Sequence, residues 1–162
     1  MRRLLLLLLL WVLPVQAQGS IETGPSMNSP DDVGIISIQS SHSVRVTSDR
    51  LEHQIRAQGL KIFARIDHQA SAETAKLALR PTILLVFADP KTETLLMHQD
   101  QAMGLDLPLK FLIWEAEDHA VFISWNNAYY LAQRHGISPH LDLLAKLSQT
   151  MVQLAKKAAA QS

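Results

Sequence analysis

Leu109-Lys110-Phe111-Leu112-Ile113-Trp114-Glu115, then Ala116-Glu117-Asp118-His119-Ala120, then Val121-Phe122-Ile123-Ser124-Trp125-Asn126 is the stretch that decides the fold. Two apolar runs rich in β-branched and aromatic residues flank a short polar break, which predicts two strands joined by a hairpin. Upstream, Thr82 to Phe87 is apolar on both faces, as a central strand requires. Leu60 to Asp67 alternates: Leu60, Ile62, Ala64 and Ile66 are expected on one face, and Lys61, Phe63, Arg65 and Asp67 on the other. Val33 to Gln39 is a further strand.

Helical spacing appears between and beyond these runs. Ser43 is a plausible N-cap for a helix carrying Val44, Ser48, Leu51 and Ile55, with Gly59 as its stop. Ser71 to Leu79 reads as a short alanine-rich helix ended by Pro81, and Thr92 to Gly104 as a loose helix. Ser138 and Pro139 open a long helix to about Ala160, with Leu141, Leu144, Ser148, Met151 and Ala155 as its stripe. The order predicts an α+β fold with helices on one face of a mostly antiparallel sheet.

Residues 1–17 read as a signal peptide: Met1-Arg2-Arg3 is basic, Leu4 to Leu13 is apolar, and Val15-Gln16-Ala17 offers a small-residue cleavage site. The apolar run falls short of the ~20 residues a membrane span needs. A soluble periplasmic or secreted product is therefore expected, without a stable membrane anchor after cleavage. Residues 18–32 form a Gly, Ser, Pro and Asn-rich flexible arm, and 33–162 a single domain. The chain holds 15 basic and 15 acidic residues, and loss of Arg2 and Arg3 leaves a net charge of −2. That balance argues against a nucleic-acid partner. With no cysteine, thiol catalysis, cysteine zinc sites and a lipoprotein anchor are excluded.

Candidate site residues sit at strand ends, where loops on a rigid scaffold carry function. Asp67-His68 joins a carboxylate to an imidazole, a pair suited to proton transfer, although adjacent residues at a strand end point apart. In an antiparallel meander, Asp89, Asp106 and Asn126 approach one rim. Two carboxylates and an amide there suit a hard cation or a polar ligand. The plainer alternative is that Asp89 and Asp106 satisfy turn amides ahead of Pro90 and Pro108. His68 joins that rim only if the segment after it is a crossover that makes its flanking strands parallel; antiparallel pairing puts it near Glu115. His135 and His140 are separated by Gly136 and Pro139 and do not share a helical face. Met97, His98 and Met103 are donor types that suit copper, but too loosely spaced to define a site.

The block from Ser43 to Gly136 resembles the domain of unknown function 302 family. The motifs that carry the resemblance are Arg65-Ile66-Asp67-His68, Arg80-Pro81-Thr82, Leu105-Asp106-Leu107-Pro108-Leu109-Lys110, Trp114-Glu115 and Arg134-His135-Gly136. It implies a two-layer, TATA-binding-protein-like architecture in the order strand, helix, four strands, helix. The chain departs from the pattern at Phe87-Ala88-Asp89-Pro90, where the family has Phe-Gly-Asn-Pro. It also departs at Trp125-Asn126-Asn127, usually Tyr-Asn-Asp, and at Ser43-Val44-Arg45-Val46, which lacks the usual glutamate.

The resemblance implies a fold and no reaction. The favoured expectation is a small-ligand or metal binding module using Asp67, His68, Asp89, Asp106 and Asn126. Its metal and any cofactor are unspecified. A homodimeric assembly protein without catalytic activity, using a sheet face or the long C-terminal helix, is the alternative. An enzyme with His68 as general base is the weakest reading.

Overall fold

The computed structural model describes residues 34–138 and 142–161. The signal-peptide and arm assignments, and Pro139 and Leu141 of the last helix, lie outside the described residues.

Five strands form one sheet in the order β1-β5-β4-β3-β2: β1 (Ile35–Ser40), β2 (Lys61–Asp67), β3 (Thr82–Ala88), β4 (Leu109–Glu115) and β5 (Val121–Asn126). Every neighbouring pair is antiparallel. The helices α1 (Val44–Ala57) and α5 (Asp142–Ala159) pack against each other. On the sheet, α1 touches β2, β3 and β4, and α5 touches β1. Shorter helices fill the connections: α2 (His68–Thr74), α3 (Pro90–Gln99), a 3-10 turn over Gln101–Leu105, and α4 (Ala128–Arg134). The expected two-layer α+β order is present.

The helices form where caps and apolar stripes coincide. In α1, Val44, Thr47, Ser48, Leu51 and Ile55 are buried on one side, and the Ser43 hydroxyl accepts from the Val46 amide. Gly59 ends it in the left-handed region at φ +74°. The last carbonyls of α5 are met by Arg50, whose Nε donates to Ala158 O at 2.9 Å, and by His42, whose Nε2 lies 2.9 Å from Ala160 O. Between helices and sheet, Phe87 stacks on Phe111 at 5.3 Å and Phe111 meets Trp125 edge-on at 5.5 Å, all three buried.

The alternation predicted for β2 is interrupted. Ile62 pairs with Phe87 but Ala64 pairs with Val86, so Phe63 is an extra residue and the ladder carries a β-bulge. Ile62 therefore packs with the core, whereas Ile66, opposite Leu84, faces the other side. Arg65 is turned toward α1, where its Nη1 lies 2.6 Å from Asp49 Oδ1 and 3.3 Å from Glu52 Oε2.

Among the described residues, no helix seals the face turned away from α1 and α5, which carries large apolar side chains. Ile66, Leu84, Leu112, Ser124 and Ser37 form one cross-strand row through all five strands. Trp114 stacks on Phe122 beside that row at 5.4 Å and donates from Nε1 to Ser124 Oγ. Leu84, Leu112, Trp114 and Phe122 are only half-buried, and Ile66 is 39% exposed.

Candidate functional sites at the two ends of the sheet

The antiparallel pairing of β2 with β3 separates the predicted site residues into two groups. Asp67 lies opposite Ile83 at the start of β3, and Thr82 lies opposite Trp114 at the end of β4. His68 therefore sits at the Glu115 end, away from Asp89, Asp106 and Asn126. No parallel crossover brings it to that rim.

At the Asp67 end, no hydrogen bond joins the Asp67 carboxylate to the His68 ring. Asp67 caps α2 through one carboxylate oxygen, its Oδ1 accepting from the Ala70 amide at 3.0 Å. The His68 imidazole has no hydrogen-bonded orienting group among the described residues. Beside it lies a cleft of about 470 Å³. Arg45, Arg65, Asp67, Gln69, Thr82 and Glu115 line it, drawn from α1, the edges of β2, β3 and β4, and α2. Arg65 is held in place by two carboxylates. Burial works against its charge, but Asp49 and Glu52 outweigh that and lift its pKa above the ordinary value. Glu115 Oε1 lies 2.9 Å from His119 Nδ1, and its carbonyl accepts from Arg80 Nε at 2.9 Å.

At the other end, β3 does finish where β4 starts, since Phe87 pairs with Leu109. Asp89, however, has the plainer role. Its Oδ1 accepts from the Lys91 and Thr92 amides and its Oδ2 from Thr92 Oγ1 at 2.6 Å, so it is the N-cap of α3, with Pro90 in the first turn. Asp106 is also engaged. Its Oδ2 lies 2.7 Å from His135 Nε2, and its Oδ1 accepts from Arg134 Nη1 at 3.3 Å. His135 Nδ1 is 2.9 Å from Asp100 Oδ2. The imidazole is thus held between two carboxylates, with 7% of its side chain exposed. The bond to Asp106 is the main reason its pKa stands above 6.5; burial opposes the shift and Asp100 adds to it.

Next to this cluster, Lys110 Nζ donates to the carbonyls of Asp106 at 2.8 Å and Pro108 at 2.7 Å. Lys110 and Asn126 together line a shallow depression of about 220 Å³ on the open sheet face, with Leu84 and Leu112. Burial lowers the Lys110 pKa, against the pull of Asp106 and Glu93. Burial likewise raises that of Glu93, whose Oε1 accepts from the Leu109 amide at 3.2 Å.

Among the described residues, no three His, Asp or Glu side chains are grouped to hold a metal ion. The copper donors do not assemble either: Met103 is 1% exposed and belongs to the core, while His98 is exposed. His135 had no signal in the sequence beyond its motif, because its partners lie 35 and 29 residues upstream.

An open antiparallel sheet layered on two long helices defines an α+β domain, and the comparisons place it more narrowly. The model of the family described as Domain of unknown function DUF302 matches residues 36–157, and the chain belongs to that family. The crystal structure of an uncharacterized conserved DUF302 protein from Bacillus stearothermophilus superposes with a TM-score of 0.69 at 15% identity, over 77% of this chain and 98% of that one. That likeness concerns the fold.

Two relatives are named fluoride-specific ion channel FluC 1, from Brucella suis biovar 1 and Brucella abortus biovar 1. Each is 37% identical over 126 residues, covering 78% of this chain and 50% or 47% of the relative. The chain spans about half the length of the curated relatives it matches. Among the described residues, no helix is long and apolar enough to cross a membrane.

Proposed function

We propose that the chain is a small-ligand binding module whose site is the cleft at the Asp67 end of the sheet. The observation that carries this reading is the convergence of Arg45, Arg65, Asp67 and Glu115, two charges of each sign, on one depression of about 470 Å³. That volume falls in the range of small-molecule sites. Charges of both signs beside Val44, Pro81 and Ile83 favour a small molecule with both an anionic and a cationic group. Asp89 and Asp106 are committed to a helix cap and to His135, which argues against a metal at the rim.

Calorimetric titration of the mature chain with a panel of zwitterionic amino acids tests the reading. Saturable binding that weakens roughly ten-fold or more in Arg45→Ala supports it, since a charged hydrogen bond contributes about 1.5–3 kcal/mol. Absence of heat across the panel counts against it.

A second reading rests on the open sheet face. Its half-buried Leu84, Leu112, Trp114 and Phe122 suit a homodimer contact, while the long helix α5 is already committed to α1 and β1. The Brucella relatives, of which the matched 126 residues make up about half, are consistent with a module that works beside other protein. A concentration-independent monomer by light scattering would exclude the dimer.

The N-terminal residues 1–17 support a working place outside the cytoplasm. Mass spectrometry of the protein recovered from bacterial fractions tests this: a chain beginning at Gln18 in the exported fraction is expected, and an intact Met1 species in the cytoplasm contradicts it.

A further inference from the structure

His135 cannot make both of its bonds as a neutral ring. A neutral imidazole carries one N–H, and an ionised carboxylate only accepts. With Nδ1 at 2.9 Å from Asp100 and Nε2 at 2.7 Å from Asp106, the ring satisfies both only as imidazolium. The His135 side chain is 7% exposed, against 33% for Asp100 and 13% for Asp106.

The two carboxylates bracket one element. Asp100 caps the 3-10 turn Gln101–Leu105, its Oδ1 accepting from the Ala102 amide, and Asp106 closes that turn. The carbonyl of Asp106 in turn holds the ammonium of Lys110, at the edge of the open sheet face.

We propose that His135 is a pH-sensitive latch: protonated, it clasps both ends of the 3-10 turn, and on losing its proton it holds only one end and loosens the turn. Among the described residues, the charged groups around it are Asp100 after α3, Asp106 after the turn, Arg134 on α4 bonded to Asp106, and Lys110 on β4, with Glu93 of α3 acting on Lys110. None of these supplies a second proton donor that would let a neutral His135 keep both carboxylates.

Histidine side-chain and backbone amide NMR on the mature chain, from about pH 5 to 9, tests the latch. The expected result is one His135 transition, with the amides of Ala102, Met103, Asp106 and Leu107 moving on the same curve. In His135→Gln those amide movements vanish. In Asp100→Asn the ring titrates at lower pH because one carboxylate is gone. A ring that titrates while these amides stay still overturns the proposal. So does a ring that is neutral, or fully protonated, throughout.

Discussion

Asp67 stands opposite Ile83, whereas Asp89 follows Ala88 at the far end of the same strand, β3. At a rise of about 3.3 Å per residue the two carboxylates are separated by roughly 20 Å. His68 and the rim are therefore independent sites. Urea unfolding of His68→Ala, Asp106→Asn and the double variant should add within about 0.5 kcal/mol. Asp106→Asn combined with His135→Gln should not add, because the two side chains share a bond. Strong coupling between His68 and Asp106 would contradict this assignment.

Asp89 is a helix cap, and its variants should behave as cap variants. Asp89→Ala is expected to cost about 1 kcal/mol, within roughly 0.5–2, while Asp89→Asn retains most of the stability. Denaturant melts check both. A calcium-dependent rise in melting temperature, abolished by Asp89→Asn, would favour the metal site that the geometry does not support.

Glu93 tests the buried acid. Glu93→Ala leaves the Leu109 amide without its acceptor and should cost about 1–3 kcal/mol, whereas Glu93→Gln keeps an acceptor oxygen. Burial raises the folded-state pKa of Glu93 above 4.5. Its contribution is thus full below 4.5 and declines as pH rises through the folded value. The Gln variant should flatten that slope in a pH series of urea melts.

His135 acts in a higher window. Its folded-state pKa is raised above 6.5, chiefly by Asp106, so the folded chain holds its proton longer than the unfolded one. The stabilisation is fully present below 6.5 and is lost as pH rises through the folded value. Wild-type stability should fall across that window, and His135→Gln should not show the fall. Equal pH slopes in the two proteins would count against the clamp.

The strands were readable because their apolar runs are long and their breaks polar, and the rim at Asp89 and Asp106 followed from the meander they imply. What failed was local. The extra residue Phe63 reverses the facing of Ile66, and a one-residue bulge leaves no mark in an alternating pattern. The helix Ala128–Arg134 was missed although Asn127 is its cap, its side chain accepting from the Tyr129 amide, because seven residues are too few to show a period. The His135 cluster was invisible for a different reason: its partners are distant in sequence and meet only through tertiary packing. The cleft at Asp67 draws on four segments, so no single motif announced it.

The most direct test of the binding-module account is a chemical-shift map. The ¹⁵N-labelled chain is titrated with the zwitterionic amino-acid panel, and the moving amides are assigned. The account predicts saturable shifts at Arg45, Arg65, Gln69, Thr82 and Glu115, whose midpoint rises roughly ten-fold or more in Arg45→Ala. Shifts confined to Asp89, Asp106 and Asn126, or none at all, would contradict it.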